Sequence, residues 1–285
     1  MAKRRMGLIS FLVCFIILVM PCFAKAAYTT DATEPVSTSE QCTLTISYLY
    51  NGTAFPDAPI KLYRVAGVNE DCDYSLTSTY ADTGLILNGI RTNGEWRTVR
   101  STLESYIVAN AIEPDFVLNT DTYGSVCFEN LETGLYFAIA PQMSKEELKC
   151  DFASAIVSLP SLDEYSKWQY EVDVYAKPKA TDFPGDNEEL QLSVLKLWKG
   201  DESGAYRPDF IDVDIYRDGI LYETVVLSED NNWSYIWSTS NDGASWIVSE
   251  HSIPKGYVMT LNQHGTSFII TNTFDADDPY FSDPP

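Results

Sequence analysis

Histidine is scarce in this sequence: 285 residues contain two, His251 and His264. No CxxC pair occurs. The ligand spacing of a Cys/His zinc site is therefore missing, and no metal or other cofactor is expected. Both histidines fall in one short stretch, which disfavours a Ser-His-Asp hydrolase. Basic residues are also few, 19 Lys and Arg against 41 Asp and Glu. Such a surface repels nucleic acid and anionic membranes, so neither is expected as a partner. Carboxylates are plentiful, but no pair is set apart by its context, and most belong to a solvated surface. No conventional enzyme is expected. Helix signals are rare. The one good candidate is 95–112, where Trp96, Val99, Leu103, Tyr106 and Ile107 recur at helical spacing and read as core packing.

At the N-terminus stand Lys3, Arg4 and Arg5, then an apolar run over 7–20 that is short for a membrane span, then Ala24-Lys-Ala26. This is the pattern of a signal peptide over 1–26, cleaved near Ala26, and it predicts a secreted protein with no membrane segment in the mature chain. Four of the 19 basic residues lie in that segment, so 15 remain against 41 acids, a net charge of −26. Cys14 and Cys22 leave with it. Cys42, Cys72, Cys127 and Cys150 remain, and an even number in a secreted chain predicts disulfides, with all three pairings open.

Residues 27–40 are polar and rich in Ser and Thr, and read as a disordered lead. From Cys42 the chain alternates. Leu44, Ile46 and Tyr48 interleave with Thr45 and Ser47, and further strands are predicted over 58–65, 125–131, 135–140, 152–159 and 168–175. These segments and the helix compose a first domain over 41–177. A stretch rich in Pro, Gly and acids, 178–189, reads as a linker. A second domain follows over 190–275, then an acidic, Pro-rich tail over 276–285.

Three segments organise the second domain: Leu192-Ser-Val-Leu-Lys-Leu-Trp198, Trp246-Ile-Val-Ser-Glu250 and Phe268-Ile-Ile-Thr-Asn-Thr-Phe274. Each reads as a strand, and strand side chains alternate between faces. Lys196 thus shares a face with Leu192, Val194 and Trp198. Glu250 shares one with Trp246 and Val248, and Asn272 with Phe268, Ile270 and Phe274. A buried lysine loses its charge readily and becomes a nucleophilic amine, while a buried glutamate stays protonated. The amine of Lys196 could then attack the carboxamide of Asn272 with Glu250 as the acid, expelling ammonia and leaving an amide cross-link. The loop closed would hold about 76 residues, worth on the order of 4 kcal/mol by the loop-entropy estimate used for disulfides.

With the Arg207-Pro-Asp209 turn, Trp233 and the Pro254-Lys-Gly-Tyr257 turn, these segments resemble the Cna protein B-type domain of Gram-positive surface proteins and pilins. The resemblance implies an immunoglobulin-like β-sandwich and an intramolecular isopeptide bond with Lys196 as nucleophile, Asn272 as acceptor and Glu250 as acid. The first domain resembles the N-terminal domain of Gram-positive fimbrial subunits. The matching residues are Lys61-Leu-Tyr-Arg-Val65, 121–131, Thr133-Gly-Leu-Tyr136 and the closing strand. In that strand Trp168, Val172, Val174, Tyr175 and Lys177 are similar to a pilin motif whose lysine a sortase joins to the next subunit. Here Ala176 replaces the motif's proline and Pro178 follows the lysine. The first domain lacks the Lys, acid and Asn of the second, so no isopeptide bond is expected there, and disulfides are the expected brace.

The fold expected is all-β, two immunoglobulin-like sandwiches in tandem, the first with one inserted helix. The expected function is a structural surface protein of a Gram-positive bacterium, a pilin subunit or an adhesin stalk, at the cell wall or outside it. Other pilin subunits and a sortase are the implied partners, and any host ligand is open. The alternative is a secreted module that binds carbohydrate or host protein through some of its 18 tyrosines and six tryptophans. No LPxTG-like sorting signal is present: Leu159-Pro-Ser-Leu162 lies mid-chain and lacks the Thr-Gly pair.

Overall fold

A computed structural model of the chain describes residues 34–145, 148–163, 165–178, 189–201 and 204–275. The signal segment, nearly all of the linker and the acidic tail lie outside the described residues.

The first half of the chain builds two main sheets, beside three small two-stranded ones. Strands β1 (Cys42–Ser47), β2 (Pro59–Val68), β3 (Tyr74–Leu76), β4 (Phe116–Asn119), β5 (Ser125–Leu131), β6 (Gly134–Ile139), β7 (Ala155–Leu159) and β8 (Glu171–Tyr175) carry it, with helix α1 (Asn93–Ala109) between β3 and β4. One sheet has the order β8-β1-β5. The other runs β7-β6-β2-β3, with β4 also paired to β2. Strand β1 alternates, with Cys42, Leu44 and Ile46 facing inward and buried. The run Leu135-Tyr-Phe-Ala138 does not alternate, because both faces of β6 are covered. Tyr136 and Ala138 pack into the core between the sheets, while Leu135 and Phe137 pack with Val99, Leu103 and Ile107 of α1. A strand covered on both sides reads as a continuous apolar run. Gly134 opens β6 where backbones nearly touch: a Cβ there would clash with the Ala66 carbonyl oxygen. That accounts for glycine in the Thr133-Gly-Leu-Tyr136 segment.

The helix begins at a reciprocal cap. The Thr92 side chain accepts from Glu95 N, and the Glu95 carboxylate accepts from Thr92 N at 2.8 Å. Such a box satisfies two otherwise unpaired donors. Thr92→Ala is expected to destabilise the first domain by about 1 kcal/mol, measurable as a lower urea midpoint at unchanged slope.

Two expectations need correction. Residues 34–40 of the lead are not free chain. Val36 is buried, its N–H donates to the Glu70 carbonyl, Ser37 N donates to the Tyr170 hydroxyl, and the Trp168 indole donates to the Glu34 carbonyl. One well-placed valine and a tyrosine 133 positions away tether a segment whose composition reads as disordered. The expected disulfide pairings among the four also fail, although Cys72 is itself disulfide-bonded. Cys42, Cys127 and Cys150 are free thiols, so no disulfide joins two of the four candidates. Cys42 points into the core from β1, while Cys127 is exposed on β5, opposite Thr45. The two thiols therefore lie on opposite faces of one sheet. Cys150 is buried in the core, and Cys72 sits in the β2–β3 connection with φ of 68°. Burial pushes the Cys42 thiol up to about 11 and raises Cys150 as well.

The second half is a seven-stranded sandwich: β9 (Glu189–Lys199), β10 (Phe210–Arg217), β11 (Ile220–Ser228), β12 (Ser234–Ser240), β13 (Trp246–Glu250), β14 (Tyr257–His264) and β15 (Ser267–Phe274). One sheet runs β12-β9-β15-β14 and the other β11-β10-β13. Val194, Val213, Ile215, Val248, Phe268 and Ile270 fill the space between them. In both sandwiches the first and last strands pair in parallel, β1 with β8 and β9 with β15; the other pairings within these sheets are antiparallel. The chain is thus all-β with immunoglobulin-like sandwiches in tandem and one inserted helix. Because β9 and β15 are neighbours, residues far apart in sequence come side by side near one end of the core.

Candidate cross-linking centre

Lys196 sits on β9 and Asn272 on the adjacent β15, where Trp198 lies opposite Asn272 and Lys196 opposite Ile270. The two side chains face inward on neighbouring strands, two register positions apart. Glu250 reaches them from the other sheet, at the last position of β13, paired with Val213. All three are sealed from solvent, at 2%, 5% and 0% exposure for Lys196, Glu250 and Asn272. Lys196 Nζ donates to Glu250 Oε2 at 3.0 Å. Asn272 Nδ2 donates to Glu250 Oε1 at 3.1 Å. One carboxyl group thus bridges amine and carboxamide. The Asn272 Oδ1 atom is buried and has no hydrogen-bond partner among the described residues.

The electrostatics follow from burial. Desolvation outweighs the attraction of Glu250 and brings the Lys196 amine down to about 8. Desolvation likewise raises the Glu250 carboxyl above its ordinary range, against the pull of Lys196 and two hydrogen bonds. Both shifts favour the neutral forms, an amine with a free lone pair and an acid holding a proton. This pair can attack a carbonyl and relay the displaced proton.

Residues 192–273 match the Cna protein B-type domain. The matched segment takes in Lys196, Glu250 and Asn272. Among solved structures, the chain is similar to a single B repeat unit of the collagen-binding surface protein Cna of Staphylococcus aureus, at 15% identity and a TM-score of 0.28, over 83% of this chain and 100% of that one. It is similar to the major pilin SpaD of Corynebacterium diphtheriae at 14% and 0.32, over 84% of this chain and 65% of that one. It is also similar to a D295N mutant of the shaft pilin SpaA of Lactobacillus rhamnosus GG, at 10% and 0.29, over 83% and 99%. These overall likenesses are remote. No curated relative matches the sequence.

The B-type domain surrounds its centre with groups that strand alternation alone does not reveal. The Trp198 ring centroid lies 4.5 Å from Lys196 Nζ. That ring meets Trp233 edge-on at 5.3 Å and Tyr257 at 5.0 Å, which excludes water from the amine. Tyr257 is held in turn by Asp201, whose carboxylate accepts its hydroxyl at 2.7 Å. Asp201 is itself buried and pairs with Arg207. The sequence hints at this only in the two turn motifs, Arg207-Pro-Asp209 and Pro254-Lys-Gly-Tyr257, which bring Arg207 and Tyr257 toward Asp201.

Lys177 is not part of this centre. It follows β8 in the first domain, where its carbonyl accepts from Ala153 N at 2.9 Å and Pro178 bridges to Phe152. Val172 and Val174 of the same segment are buried, Tyr175 is 70% exposed, and the Lys177 side chain is exposed. A fixed backbone thus presents an exposed lysine side chain.

Proposed function

We propose that this chain is a load-bearing surface protein of a Gram-positive bacterium, a pilin subunit or an adhesin stalk, whose B-type domain cross-links itself between Lys196 and Asn272. The observation that carries the proposal is Glu250 bridging a buried amine and a buried carboxamide. The neutral Lys196 Nζ attacks Cγ of Asn272. Negative charge develops on Oδ1, and Glu250 takes the proton from Nζ through Oε2 and returns one to Nδ2 through Oε1. The Cγ–Nδ2 bond breaks, ammonia leaves, and the Nζ–Cγ amide remains. Atoms balance without an oxidant or cofactor, and the acid ends as it began. The reaction happens once per chain, so it is maturation rather than turnover.

Lys177 fits a second covalent role: a sortase joining this subunit to another needs an exposed amine on a fixed backbone, and that is how Lys177 stands. The partners proposed are therefore other pilin subunits and a sortase, and the location the cell surface.

Intact mass of the purified chain tests the cross-link. The parent is expected to be lighter than its sequence by one ammonia, and Glu250→Ala to show the full sequence mass. Digestion should yield a branched peptide joining the segments around Lys196 and Asn272. A parent at full sequence mass sinks the proposal and moves the secreted binding module to first place.

A further inference from the structure

Helix α1 belongs to the first domain by sequence and by its apolar face. Its other face does different work. Ser101, Thr102 and Ser105 are buried on it, and this face lies along β13 and β14 of the B-type domain. Among the described residues those two strands are the edges of their sheets, β13 pairing with β10 alone and β14 with β15 alone. An edge strand carries backbone donors and acceptors that no neighbouring strand satisfies. The helix supplies the partners with hydroxyls. Ser105 Oγ donates to the Val248 carbonyl at 2.8 Å. Thr102 Oγ1 accepts from Leu261 N at 2.9 Å and lies 3.5 Å from the Leu261 carbonyl oxygen, so one hydroxyl answers both groups of one edge residue.

These contacts sit close to the reacting side chains. Val248 stands two residues before Glu250 and shares its face. Leu261 pairs with Ile270, two residues before Asn272 on β15. A third contact lies nearby: Gly84, at φ of +62°, approaches Val258 so closely that a Cβ would come within 2.7 Å of it. Val258 neighbours Met259, the residue paired with Asn272.

We propose that helix α1 completes the cross-linking centre from outside the B-type domain, with Thr102 and Ser105 as positioning residues. The seam fixes β13, which carries the acid, and β14, which flanks the acceptor strand. It also closes the side of the sandwich on which Glu250 stands at an edge. Without it, water reaches that edge and the neutral amine–acid pair gives way to the hydrated ion pair, which cannot attack. Covalent locking of the second domain is thereby made to follow folding and docking of the first. This inference rests on the cross-link proposed above.

The test uses the full chain. Newly made protein is sampled over time after a pulse of synthesis, and the fraction short of one ammonia is read by intact mass. Thr102→Val keeps the shape and removes the hydroxyl, leaving a buried N–H unpaired. Ser105→Ala does the same for a carbonyl. Each is expected to slow ammonia loss about tenfold, the effect of one lost buried hydrogen bond at the reacting geometry. Thr102→Ser restores the hydroxyl and is expected to react at nearly the parent rate. Gly84→Ala, which pushes the seam apart without touching a hydrogen bond, is expected to slow it too. Thr92→Ala weakens the helix start away from the seam and is expected to leave the rate unchanged. Parent-like rates in Thr102→Val, Ser105→Ala and Gly84→Ala together overturn the inference while leaving the cross-link standing. Equal slowing by Thr92→Ala also overturns it, because the effect would then be general destabilisation. A parent that never loses ammonia removes the cross-link itself.

Discussion

Glu250→Ala is expected to lower the melting temperature of the B-type domain by more than 20 °C. Two losses combine. The variant forfeits the loop closure, worth on the order of 4 kcal/mol, which in a domain of this size corresponds to roughly 16–32 °C. It also leaves the Lys196 amine in an apolar core without its hydrogen-bond partner, and an unsatisfied buried polar group costs about 1–3 kcal/mol. Lys196→Met separates the two. It too abolishes the cross-link, but the carboxyl left behind is already held toward its neutral form and keeps its hydrogen bond from Asn272. The expected order of melting is parent, then Lys196→Met, then Glu250→Ala, read by differential scanning calorimetry. A Glu250→Ala transition within a few degrees of the parent would show that no covalent bond had been lost.

Pulling the chain end to end should give an all-or-none contrast. The force enters the B-type domain at β9 and leaves at β15, two parallel neighbours. In the parent the load crosses from Lys196 to Asn272 through the amide, so only the few residues outside that pair can extend. The roughly 76 residues between them never carry tension. Without the bond they unravel. At about 3.5 Å per extended residue, the Lys196→Met chain gains on the order of 250 Å on rupture of this domain, where the parent gains none. Single-molecule force spectroscopy reads the difference directly as a missing step. A step of that length in the parent would refute the cross-link. The first sandwich serves as an internal control, since it should unravel in both chains.

Alternation is enough to turn Lys196, Glu250 and Asn272 inward. A period of two is rigid, so a polar residue in phase with buried valines and isoleucines must enter the core. The two-sandwich architecture and the single helix were legible for the same reason. What alternation cannot carry is the relation between elements that do not pair as strands. The Trp198–Tyr257–Asp201 wall depends on turns whose path the local pattern does not fix. The hydroxyl face of α1 carries no signal in the sequence, because Ser and Thr at helical spacing look the same whether they meet water or another strand's backbone. Cysteine parity misled because it counts residues and is blind to face, and Cys42 and Cys127 point opposite ways from one sheet. Val36 escaped notice because a single apolar residue in a polar stretch has no period at all.

The free thiols of the first sandwich bear on how the protein matures. Cys42 and Cys150 lie in the core with thiols held toward their protonated, unreactive form. The brace proposed for the second domain is an amide made from the chain's own side chains, with ammonia as the by-product. Its formation consumes no oxidising equivalents, and no thiol reductant can undo it. The moment of locking is therefore set by folding, whatever the redox poise of the medium into which the chain emerges.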